Sequence, residues 1–99
     1  SNYKYFSCYN KLIMNINDLI SIVKKKLENN FKIENIKIED KSFLHKKHES
    51  NQVGKFHLKL SINSNELKNL SRIDSNKKIY KILNNELKEY IHSIQILIN

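Results

Sequence analysis

GKFHLKLSINSNELKNLS, residues 54–71, changes period in the middle. In its first half Phe56, Leu58, Leu60 and Ile62 alternate strictly with His57, Lys59 and Ser61. Side chains of an extended chain point to opposite faces in turn, so this alternation predicts a half-buried strand with an apolar inner face and an outer face carrying His57. After Asn63 or Ser64, either of which can cap a helix, Leu67 and Leu70 are spaced three apart and imply a short helix. A strand that hands over directly to a helix marks an α+β domain.

Upstream, Ile16, Leu19, Ile20, Val23 and Leu27 recur at three- and four-residue steps. They predict a helix from about 16 to 29, with Asn15 or Asn17 as its cap. The run Glu28-Asn29-Asn30 ends it. Phe31, Ile33, Ile36 and Ile38 then suggest a strand ending near Asp40. Between the two strands, residues 40–50 read DKSFLHKKHES and follow no apolar period, so a histidine-bearing basic loop closes a hairpin. Downstream, Asp74 can cap a longer helix whose inner face is Ile79, Tyr80, Leu83 and Leu87. IHSIQILIN, residues 91–99, sets Ile94, Ile96 and Ile98 against Ser93, Gln95 and Leu97 as a third strand that begins at His92. The expected order is αββααβ, a class II KH-like fold with a three-stranded sheet and its helices on one face.

The chain has 99 residues, enough for one domain. Residues 14–99 are taken as the folded unit. Residues 1–13, without an acidic side chain, are expected to be an N-terminal arm, a targeting remnant or an expression segment. No apolar run approaches the ~20 residues that cross a bilayer. A single cysteine, Cys8, excludes an internal disulfide framework and a CxxC site, and a reducing, intracellular compartment is expected. The net charge of +8 favours a nucleic acid or an acidic partner. Its even spread, in a chain rich in Lys, Asn and Ile, weakens that signal. Ser42 and Ser71 lack a sequence-defined base, and neither paired carboxylates nor a phosphate loop is evident, so no catalysis is expected. Gly54 is the only glycine, which removes the GxxG clamp of an RNA-binding KH domain.

Three segments together, IEDKSFLHKKHES, GKFHLKLSINSNELKNLS and IYKILNNELKEYIHSIQI, resemble the BolA family over roughly residues 16–98. That family carries a histidine-bearing loop opened by an acidic residue and serine, an HFxxxxVS strand, an RHR-containing segment, an LxxEL helix and an IHA or VHA strand. Ser71 and Tyr80 fall at the family's spacing, Glu86-Leu87 occupies the EL position and His92 the invariant histidine. The resemblance implies a non-enzymatic adaptor that binds a monothiol glutaredoxin and shares a [2Fe-2S] cluster with it and with glutathione. The isolated chain is then expected to be a monomer holding no cluster of its own, in mitochondria or cytoplasm. The implied ligands are His92 and a loop histidine, at the position matched by His45, with His48 as the fallback. No cysteine lies in the loop, which implies the histidine-type subgroup. Two imidazoles on one metal need ligating nitrogens roughly 3–4 Å apart, given metal–nitrogen bonds of ~2.0–2.1 Å.

Each histidine also has an ordinary reading, a solvated ring on a loop or at a strand start. The family's RHR triplet is Ser75-Asn76-Lys77 here, and Lys55 replaces the histidine before the strand phenylalanine. Arg72, Lys77, Lys78 and Lys81 nonetheless keep open an alternative, a basic KH-like or helix-turn-helix module that contacts nucleic-acid phosphates. The same side chains also suit a solvated helix face or a surface for an acidic partner.

Overall fold

The computed structural model describes residues 14–42 and 55–99. Its elements run α1 (Ile16–Asn30), β1 (Asn35–Asp40), β2 (Phe56–Asn63), α2 (Asn65–Lys68), α3 (Arg72–Ile82), α4 (Asn84–Glu89) and β3 (Ile91–Ile98). The strands form one sheet in the order β1-β2-β3. β1 is antiparallel to β2, while β3 returns parallel to β2 after the helical crossover. This is the α+β arrangement expected from the sequence, with one additional helix break.

α1 begins where the Asn15 side chain accepts from the Asp18 N–H, so Asn15 is the cap. It buries Leu19, Val23 and Leu27, the period-3.6 stripe, against the inner face of the sheet, where Leu58, Leu60 and Ile62 are also buried. Leu67, Ile79, Leu83 and Ile91 complete this core, with Ile94, Ile96 and Ile98 half-buried at its side. Fully burying such a side chain contributes about 1.5–3 kcal/mol each, so the core is the main source of stability.

Ser64 joins two parts of the fold. It is 1% exposed, its hydroxyl donates to the Lys32 carbonyl at 2.7 Å, and it accepts from the Leu67 N–H at 3.2 Å as the cap of α2. Glu86, 5% exposed, plays a similar joining role between α4 and α1. Lys26 Nζ donates to both of its carboxylate oxygens, at 3.0 and 2.7 Å. The EL position is thus a structural tether on the helix that leads into β3.

Four expectations are corrected here. Phe31 and Ile33 precede β1, which starts at Asn35, because the Phe31 N–H still closes α1 on the Leu27 carbonyl. The cap of α3 is Ser71, accepting from the Asp74 N–H, so Asp74 lies inside the first turn where its charge suits the helix dipole. Tyr80 is 44% exposed; Ser75 and Ile79 are the buried residues of α3. Finally, the helix is interrupted at Leu83 (φ −95°, ψ 14°), just before Asn84-Asn85, a pair of low helix propensity.

Candidate functional site

The parallel pairing of β3 on β2 decides what meets what. Phe56 lies opposite Ile91, and the Phe56 N–H donates to the Tyr90 carbonyl at 2.8 Å. The start of β3, with His92, is therefore at the end of the sheet where the chain enters β2 from residues 43–54. The far end of that segment's attachment lies there too. Lys41, just past β1, donates its N–H to the His57 carbonyl at 2.7 Å.

Between Phe56 and His57 the register slips, so that Phe56 faces Ile91 and His57 faces Ser93. β3 thus contains one extra residue, a β-bulge at His92. Its effect is visible in the exposure pattern. Ile91 is buried, His92 and Ser93 are both exposed, and Ile94 turns back toward the core. Strict alternation would have placed Ser93 inward. The bulge instead puts two consecutive side chains on the outer face beside His57.

His57 differs from its expected solvated state. It is 7% exposed. Its Nδ1 shares a 2.7 Å hydrogen bond with Ser93 Oγ, and its ring centroid is 5.0 Å from that of His92, with the planes at 65°. Its backbone N–H donates to Ser42 Oγ at 3.1 Å, and Ser42 in turn donates its own N–H to Asp40 Oδ1 at 2.9 Å. Alternation tells which face a residue takes; it does not tell whether neighbours cover that face. Here the bulge and the Ser42 turn cover it.

His92 remains exposed, edge-on to a buried ring, and it hydrogen-bonds to no other side chain among the described residues. A single exposed imidazole offers one nitrogen ligand, and among the described residues no group of three or more His, Cys, Asp or Glu side chains gathers around a common point. Such a donor fits a metal whose other ligands come from elsewhere. His45 and His48 lie outside the described residues. Arg72, Lys77, Lys78 and Lys81 are all exposed on α3.

Residues 27–99 match the family model described as BolA-like protein. The chain belongs to the BolA-like family. A curated BolA relative, "DNA-binding transcriptional regulator BolA" of Haemophilus influenzae, is 32% identical over 75 residues, covering 76% of this chain and 70% of the relative. Among solved BolA structures, the BolA domain of SufE1 from Arabidopsis thaliana superposes with a TM-score of 0.69 at 24% identity, covering 87% of this chain and 93% of that one. BolA1 from the same plant gives 0.68 at 22% identity over 80% and 87% of the two chains. A Babesia bovis relative gives 0.61 at 17%, with 79% of each chain covered. These structural likenesses establish a BolA fold.

His57, Ser93 and Ser42 are the site residues that pattern analysis missed. One signal was present. In IHSIQILI the spacing Ile91 to Ile94 is three, against two for every later isoleucine step. A three-step inside a two-period strand marks a bulge.

Proposed function

We propose that this BolA-like protein is a non-enzymatic adaptor that pairs with a monothiol glutaredoxin and contributes histidine ligands to a shared [2Fe-2S] cluster, in cluster trafficking or iron regulation. Family membership and one geometric observation support it: the exposed His92 imidazole stands at the sheet end to which residues 43–54, with His45 and His48, are attached. In this reading His92 and His45 hold one iron, with His48 as the fallback, while glutathione and the partner's thiolate complete the cluster. Replacing thiolate by imidazole removes negative charge from the cluster and raises its reduction potential, as in Rieske-type centres. The isolated chain is monomeric and holds no cluster, and the protein works in mitochondria or cytoplasm.

The test is direct. The purified protein is mixed with a cluster-loaded monothiol glutaredoxin while visible absorption and circular dichroism are recorded. New bands that saturate at one protein per glutaredoxin are expected; spectra that simply add up would sink the adaptor role.

A second reading, nucleic-acid binding through α3, is favoured by the naming of the Haemophilus relative and by the exposure of Arg72, Lys77, Lys78 and Lys81. Phosphate contacts from such side chains supply affinity without reading sequence. Tight, salt-steep DNA binding in the absence of any spectral response to glutaredoxin would favour it.

A further inference from the structure

We infer that His57 is a positioning residue for His92: a buried imidazole that fixes the direction in which the exposed ring presents its nitrogen to a partner-held metal. The inference rests on the adaptor reading for its purpose, although its geometric content stands in the isolated chain.

Among the described residues, Ser42, Lys41, Ser93 and His92 all hold His57. Its backbone is held on the β1 side by Ser42 Oγ on the N–H (3.1 Å) and the Lys41 N–H on the carbonyl (2.7 Å). Its ring is held on the β3 side by Ser93 Oγ at Nδ1 (2.7 Å). With the residue 7% exposed and tied on both flanks, the ring is a fixed body. The His92 ring meets it at 5.0 Å and 65°, the edge-to-face range in which aromatic pairs attract. One of the two rings is anchored and the other exposed, so the anchored ring sets the orientation of the exposed one.

The bulge makes this possible. Without the extra residue, Ser93 would turn inward, away from His57, removing the hydrogen bond that anchors its ring. A residue that orients a metal ligand from behind commonly changes metal affinity by roughly tenfold or more when removed. Here the contact is ring packing, and a roughly two- to tenfold preference for one ring direction is the expected scale. His57 also links the site to the chain entering residues 43–54. Ser42, which holds its N–H, stands three positions before His45.

The test uses the full chain with His57→Ala, His57→Phe and Ser93→Ala, read in two ways. First, the three-bond couplings that define the His92 χ1 rotamer are recorded by NMR in the isolated protein. Wild type should show one dominant His92 ring orientation. His57→Ala should give the averaged couplings of a side chain that samples several rotamers, and His57→Phe, which keeps a ring behind His92, should restore most of the wild-type signature. Ser93→Ala, which leaves both imidazoles in place but releases the anchor, should fall between. Second, cluster-loaded monothiol glutaredoxin is added. His57→Ala should lose the shared-cluster dichroism two- to tenfold faster than wild type, with His57→Phe near wild type. Wild-type NMR and dichroism retained in both His57→Ala and Ser93→Ala would overturn the positioning role. If the NMR arm behaves as stated while no variant, wild type included, responds to glutaredoxin, the adaptor reading fails and the positioning of His92 stands. Should His57→Ala not fold, His57→Phe and Ser93→Ala still decide, because a purely structural role would leave the His92 signature of each folded variant unchanged.

Discussion

The Lys26–Glu86 pair predicts an asymmetry between its two partners. The Glu86 side chain is 7% exposed and the Lys26 side chain 38%, with 2.7 Å between Nζ and Oε2. Replacing Lys26 by Met keeps most of the aliphatic stem but leaves a carboxylate buried without its counter-ion. Removing one partner of a buried pair costs about 3–5 kcal/mol, and the half-open side of this pair argues for the bottom of that range, about 3 kcal/mol. Replacing Glu86 by Leu is cheaper, because the ammonium left behind can swing from its half-exposed position into water. About 1 kcal/mol is expected, the scale of a solvent-screened pair. The double variant Lys26→Met/Glu86→Leu substitutes an apolar contact for the ionic one and should lie within about 1 kcal/mol of wild type. Urea unfolding followed by far-ultraviolet circular dichroism measures all four proteins, provided the m-values agree. For a domain of this size each kcal/mol corresponds to about 4–8 °C in Tm, so Lys26→Met should be visible by thermal melting as well. A Glu86→Leu variant as destabilised as Lys26→Met, or a double variant whose loss equals the two single losses together, would show that the carboxylate is not held by this contact.

Ser64→Ala removes both the α2 cap and the bond to the Lys32 carbonyl from a site 1% exposed, and should cost about 2–3 kcal/mol in urea unfolding; a loss under about 0.5 kcal/mol contradicts the joining role. His92→Ala, on an exposed side chain, should change stability by less than about 1 kcal/mol yet abolish the dichroism of the cluster shared with glutaredoxin. His45→Ala should weaken that dichroism more than His48→Ala, and equal effects would remove the preference between them. If α3 binds DNA, changing Lys77 and Lys78 together to Ala should lower the slope of log K against log salt by about 2, and an unchanged slope excludes these two side chains from phosphate contact.

The apolar periods of α1 and β2 were legible because each repeats over several turns or pairs and because each element lines the apolar core with one face: Leu19, Val23 and Leu27, then Leu58, Leu60 and Ile62, are the residues found in the core. Tyr80 misled for the opposite reason. It sits one position from Ile79 on the helix, close enough in angle for either to look inward, and packing chose Ile79. Phe31 misled because a lone aromatic after a helix looks alike whether it closes the helix or opens a strand.

The family motif placed His92 at a strand start, and residue periods alone named its sheet. Neither revealed that His57 lies behind it. That contact joins residues 35 positions apart through a parallel pairing and a one-residue slip in β3, and both depend on how the crossover helices return the chain to the sheet. Local spacing encodes which face a side chain takes, since that follows from backbone geometry within a few residues. Whether the face is covered, and by what, follows from long-range register, which only the folded chain determines.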